Sequence, residues 1–368
     1  MKKVKLTMRM LTSLLFRKDG VKAVLLATKC RNFTEADLVK EVIKGTPNAE
    51  DVFFVYIKGR ELEQEAESQL IEAFSQGSKN AQVVLLGYVQ DHYLHDYGFE
   101  LVRSYAQGVK GSKEILKNYI EKHFLSREAE VELVKSFVKG VSGVEEIIKL
   151  YLKENQLYKE AQIELIKSFA TGLKGAKELI EMQIEDYTLR DAGDAELVRT
   201  FAKGIPGAKE LLEKAIKKDY ISKEAELELL KALAQGVDGA KELFENYIKN
   251  DRITPLGEAV QVELVKNFAN DTPGARELLE AHLREQYLFD EAQVELVRTF
   301  AKGVPGAKEI LTKYIQTAKK KPICGEAQVE LVKAVISGVD GAKEMVWIFI
   351  GYILCDEAMI MLKEYIKH

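Results

Sequence analysis

The sequence predicts an all-α fold, a right-handed α-solenoid of about eleven two-helix repeats with a period of about 32 residues, closed by a C-terminal capping helix. Three observations carry this. First, "ELVRTFAKGIPGAKELLEKAI", from Glu196, returns almost unchanged from Glu295 as "ELVRTFAKGVPGAKEILTKYI". Second, a leucine anchors each copy, at Leu38, Leu70, Leu101, Leu133, Leu165, Leu197, Leu229, Leu264, Leu296, Leu331 and Leu362, with steps of 31, 32 or 35 residues. The two steps of 35 carry extra residues in the same loop, "NDRITPLGEA" and "TAKKKPICGEA". Third, every copy has two halves with helical apolar spacing.

The stretch Ser126–Asn155 shows the logic of one copy. Ala129, Leu133, Val134, Phe137 and Val138 recur on one helix face. Ser126 suits the N-cap and Gly140 the helix end. A second helix follows, with Ser142 and Glu145 at capping-box spacing and Ile147, Ile148, Tyr151 and Leu152 on its apolar face. Pro206, Pro273 and Pro305 stand at the corresponding helix start in other copies. Neither short helix can bury its stripe alone, so copies must stack. The expected organisation is one continuous solenoid over residues 1–368. It comprises a divergent basic N-terminal repeat at 1–31, regular repeats at 32–344 and an apolar C-terminal cap at 345–368.

The chain resembles the helical-hairpin repeat class, which includes HEAT and tetratricopeptide arrays, in architecture. It departs from both families: the tetratricopeptide Trp…Leu-Gly…Tyr signature is missing, and the repeat is short for HEAT. "FTEADLVKEV" from Phe33 also resembles the first helix of TAL-effector-type DNA-binding repeats, which read bases through two variable loop residues. Here that loop is nearly constant (Ile205-Pro206-Gly207, Val304-Pro305-Gly306), so no base code is implied.

Composition narrows the function. With 46% hydrophobic and 30% charged residues the chain is foldable, and its net charge of −4 lacks the basic excess of most nucleic-acid binders. The three cysteines are far apart, which predicts no disulfide and a cytoplasmic protein, or one delivered into another cell's cytoplasm. "MKKVKLTMRMLTSLLF" has the order of a signal peptide, but Arg9 interrupts its apolar run and no small-residue cleavage site follows closely. "MVWIFIGYILC" is about half the length that crosses a bilayer, so no transmembrane segment is expected.

Several columns recur with the repeat. Glu132, Glu164, Glu196 and their counterparts stand three residues before Lys135, Lys167 and Arg199, which predicts ion-pair ladders on a solvated face. Tyr56, Tyr88, Tyr119, Tyr151, Tyr247 and Tyr314, with His282 and Phe349, form an aromatic column expected to pack between repeats with its hydroxyls at the rim. His92, His95 and His123 sit in inter-repeat loops without a full metal-ligand set. No catalytic residue, metal site or cofactor is assigned.

Departures from the repeat point to function. The second-helix slot that holds Glu213, Glu245 and Glu280 later in the chain holds Leu26, Phe54 and Leu86 in the first three copies. Val55 fills the next slot and Val83 replaces another glutamate. These residues are the expected partner-binding strip. At the other end Trp347, Ile348, Tyr352, Met359 and Met361 replace polar residues, as a cap or as a homodimer interface. Residues 1–31 carry nine Lys/Arg against Asp19 alone, near +8, leaving about −12 for the remainder. The expectation is a non-enzymatic scaffold that takes an amphipathic, acidic peptide or helix on the strip, steered by the basic end. The alternative is nucleic-acid binding through that basic end.

Overall fold

The structure is a computed structural model, which describes residues 3–95, 97–186, 189, 191–218, 221–249, 256–317, 323–349 and 354–367. Among these residues the chain forms 23 α-helices and one 3₁₀ turn, Cys30–Asn32, with no strand beyond a single bridge between Lys3 and Thr34. None of these helices is long and apolar enough to cross a membrane. The contacts divide the chain into two compact units, Met1–Asp186 and Tyr187–His368.

The first unit holds α1 (Met8–Leu15), α2 (Gly20–Lys29), α3 (Glu35–Ile43), α4 (Ala49–Ile57), α5 (Gln64–Ser75), α6 (Lys79–Tyr88), α7 (Gly98–Ala106), α8 (Ser112–Ile120), α9 (Arg127–Val138), α10 (Val144–Leu152), α11 (Lys159–Ala170) and α12 (Ala176–Asp186). Odd helices from α3 to α11 pack in succession on one another, and even helices from α2 to α12 do the same. Each helix also packs on its hairpin partner, so two helical layers share one core. The second unit repeats the scheme. It holds α13 (Asp191–Ala202), α14 (Ala208–Lys218), α15 (Lys223–Ala234), α16 (Ala240–Ile248), α17 (Glu258–Ala269), α18 (Ala275–Glu285), α19 (Asp290–Ala301), α20 (Ala307–Thr317), α21 (Gly325–Ile336), α22 (Ala342–Phe349) and α23 (Asp356–Lys367). Helix α23 packs on α21, continuing the odd layer.

The hairpin α9–α10 shows why the local sequence folds this way. Ala129, Leu133, Val134 and Phe137 are buried, as their spacing predicts, and Ser126 Oγ caps α9 by accepting from Ala129 N–H at 3.3 Å. Truncating a fully buried leucine such as Leu133 to alanine costs roughly 2–5 kcal/mol. The helix ends in a Schellman turn: Val141 N–H donates to Ser136 C=O at 3.0 Å, and Gly140 N–H to Phe137 C=O at 2.9 Å. Gly140 takes the left-handed conformation this needs (φ 73°). Two further features differ from the sequence reading. The N-cap of α10 is Gly143 (φ 78°) without a side-chain cap, so Ser142 and Glu145 form no capping box. Ser142 C=O instead accepts from Tyr105 Oη at 2.7 Å, and Glu145 pairs with Lys149 at 2.8 Å. Pro206 likewise lies two residues before the first residue of α14 and not inside it.

Candidate functional site

A buried polar column, unpredicted from the sequence, sets the spacing between repeats and so places every surface slot. It occupies the first turn of the odd helices, at Glu35, Glu67, Glu130, Gln162, Asp194, Glu226, Gln261, Gln293 and Gln328, all buried. Each of these side chains has two jobs where the pattern is complete. Glu226 accepts from Tyr247 Oη in its own hairpin at 2.5 Å and from Gly257 N–H, the N-cap of the next odd helix, at 3.1 Å. Glu35 does the same with Tyr56 Oη (2.6 Å) and Glu63 N–H (2.6 Å). Glu130 does so with Tyr151 Oη (2.7 Å) and Tyr158 N–H (2.5 Å). Glutamines keep the second job: Gln261, Gln293 and Gln328 accept from Phe289, Cys324 and Cys355 N–H at 2.7, 2.7 and 2.8 Å. One of the free donors at the starts of α5, α11, α17, α19, α21 and α23 is thereby satisfied by the preceding repeat.

The tyrosine column therefore differs from its expectation. Its described members are buried, and the hydroxyls of Tyr56, Tyr151 and Tyr247 point inward to carboxylates and not to the rim. Burial, then the Glu35 hydrogen bond, pushes the Tyr56 hydroxyl up to about 12. Phe349 has its side chain outside the described residues. The third repeat, α5–α6, departs from the pattern. Glu67 is fully buried and takes His95 Nδ1 at 3.0 Å, while its Oε1 has no hydrogen-bond partner. Burial, opposed in part by His95, lifts its carboxyl to about 6. Tyr88 Oη accepts from Leu62 N–H at 3.0 Å, and His92 stacks on the Tyr88 ring at 4.7 Å. His92, His95 and His123 thus serve separate packing and hydrogen-bond roles, and no cluster of metal-ligating side chains occurs among the described residues.

On the outer face of the even layer, α10 to α20 carry charge. Lys149 bridges Glu145 and Glu178 (both 2.8 Å), Lys209 reaches Glu242 of the next even helix (2.6 Å), and Arg276 pairs with Glu280 (3.1 Å). Such exposed pairs contribute roughly 0–1 kcal/mol each. In α2, α4 and α6 the same slots are apolar. Phe54 is half-buried and lies over Gly87, where any Cβ would collide with its ring. Leu86 is half-buried beside it, and Val83 is 48% exposed in the slot that Glu242 fills five repeats on. The preceding lysine position is Glu50 in α4, so a glutamate at 83 would have met like charge. Val55 is buried and belongs to the core. In α2 the buried set is Gly20, Ala23, Ala27 and Cys30, which puts Leu25, 60% exposed, in register with Phe54 and Leu86. Leu26, half-buried, corresponds instead to Val55.

At the C-terminal end Trp347 is 69% exposed, and Met359 and Met361 on α23 are half-buried. Ile360 and Ile366 on α23 are exposed. The side chain of Ile348 and all of Tyr352 lie outside the described residues. The Glu/Lys ladders of the odd layer are present in part: Lys231–Glu228 at 3.0 Å and Lys333–Glu330 at 2.9 Å within a helix, and Arg199–Glu228 at 3.3 Å between helices. The polar column had a signal in the sequence, a Glu, Gln or Asp two residues before the surface glutamate. It is masked because a carboxylate there reads as another solvated residue. All three cysteines are free thiols, and burial lifts that of Cys30 to about 11. Compared with known proteins, the chain matches no family model and no curated protein sequence.

Proposed function

We propose that this chain is a non-enzymatic scaffold that binds a peptide or an amphipathic helix along the even-helix face of its first unit. The observation that carries this reading is the exchange of ion-paired slots for apolar ones across three successive even helices, with Leu25 and Val83 exposed and Phe54 and Leu86 half-buried. A soluble fold gains nothing from that exchange unless something covers the strip. The helices hold these side chains at fixed spacing, so a partner would be read by the register of its apolar residues. The same reading takes the repeats as a right-handed solenoid of eleven hairpins and a cap, acting in a reducing compartment such as the cytoplasm. Residues Trp347, Met359 and Met361 form a second apolar end, suited to capping or to self-association.

The test uses a displayed library of amphipathic helical peptides selected on the full chain. Binders should lose at least about tenfold in affinity against Val83→Asp with Leu86→Asp, about 1.4 kcal/mol or more, with circular dichroism unchanged. Binders indifferent to both substitutions would remove this face as the site.

A further inference from the structure

The geometry points to the α1–α2 end as a docking site for an anionic lipid bilayer, a role distinct from the peptide-binding strip, with which it shares only Leu25. The α1–α2 turn exposes Leu15 and Phe16, the latter 87% exposed, followed directly by Arg17 and Lys18. Gly20 brings the start of α2 against the Leu15 carbonyl, where no Cβ would fit, so Val21, the second residue of α2, lies close to this tip. Val21 (68% exposed) and Leu25 then lie one turn apart on the outward arc of α2, and Lys22 and Lys29 share that arc.

The charge of this end is largely uncompensated. Residues 1–31 hold nine Lys/Arg and one acid. Asp19 stands 3.8 Å from Lys22, and Arg17 lies 3.4 Å from Asp51. Lys3, Lys5, Arg9, Lys18 and Lys29 are exposed with no carboxylate among the described residues in ion-pair range.

The form of the surface selects among occupants. Phe16 protrudes, and little of its side chain meets protein, so nothing here cups a peptide. A second copy docked by the same end would set one basic cluster against another. Phosphate-backbone binding would use the lysines but leave Leu15, Phe16, Val21 and Leu25 in water. A bilayer surface satisfies both sets: anionic headgroups attract the lysines while the tip enters the headgroup–acyl boundary.

The experiment is co-sedimentation of the full chain with phosphatidylcholine vesicles, with and without phosphatidylserine. Retention is expected on the anionic vesicles alone. Phe16→Asp should lower it about tenfold, and Arg17→Glu with Lys18→Glu should lower it by a similar factor or more. Val83→Asp with Leu86→Asp should leave it unchanged, which keeps this test independent of the peptide-binding face. A Phe16→Trp, Trp347→Phe chain has one tryptophan, and its emission should shift to the blue on anionic vesicles. Leu86 is half-buried and the other positions are solvent-exposed, and circular dichroism checks that each variant is folded. Three results would overturn the proposal: no retention, retention that ignores Phe16→Asp, or a duplex oligonucleotide that binds the chain and displaces it from vesicles with Phe16 dispensable.

Discussion

Glu67 offers the sharpest test of how the buried polar column works. It is the one described carboxylate of the column that keeps an oxygen with no hydrogen-bond partner. Burial lifts its pKa from 4.5 to about 6, against the opposing pull of His95. The folded state therefore holds the proton more tightly than the unfolded chain. This contribution to stability is complete below about pH 4.5, falls as pH rises through about 6, and stays lost above it. At 1.36 kcal/mol per unit, the charged carboxylate costs the fold about 2 kcal/mol at neutral pH. Glu67→Gln removes that cost while keeping an oxygen for His95 Nδ1, and Gln162, Gln261, Gln293 and Gln328 already occupy this place in other repeats. The variant should be more stable by roughly 1–2 kcal/mol near pH 8 and equal to wild type near pH 4. Urea unfolding followed by circular dichroism at the two pH values measures this through the midpoint. A variant no more stable near pH 8, or one whose gain persists in acid, would show that Glu67 is solvated or otherwise satisfied.

Two further outcomes follow from the same column. Tyr247→Phe deletes the hydroxyl that donates to Glu226 at 2.5 Å, so it should cost about 1.5–3 kcal/mol and speed amide exchange at Gly257; a change below about 0.5 kcal/mol would refute the latch. Burial holds His282 down, from 6.5 to about 4, with its Nε2 unpartnered. The folded state resists protonation there, so stability present above about 6.5 is lost as pH falls toward 4, by up to about 3 kcal/mol. His282→Phe should remove that acid loss. Hydrogen exchange between these pH values should then show the first unit gaining protection in acid and the second losing it, and identical trends would contradict both assignments.

The helical layers were legible because period and apolar spacing are properties of the chain itself. Leu133 and Phe137 pack where their spacing put them. The glycines were half legible: Gly140 ends its helix as expected, whereas Gly143 takes the N-cap that Ser142 was expected to hold. In the strip, Phe54, Val83 and Leu86 were found by contrast with the repeat, but Val55 is core and Leu25 replaces Leu26 in register. The slip lies in α2, where Gly20, packed on the Leu15 carbonyl across the turn, stands in the place that Ala49 holds in α4, so the buried set and not the wording fixes the register. The polar column was missed for a related reason. A glutamate's burial depends on the tyrosine and the N–H that come to it from positions 21 and 31 residues away, as at Glu226.

The choice of partners in that column bears on how such a chain can grow. Tyr247 and Glu226 belong to the same repeat, so any copied block of the gene carries both. The remaining partner is a backbone N–H, which every residue except proline supplies. The residues that offer it here are as unlike as Glu63, Tyr158, Ser222, Gly257, Phe289, Cys324 and Cys355. The junction asks nothing of the side chain that follows it. Copies can therefore be inserted, removed or reordered by recombination without matching mutations at the seam, and their outer faces are left to diverge.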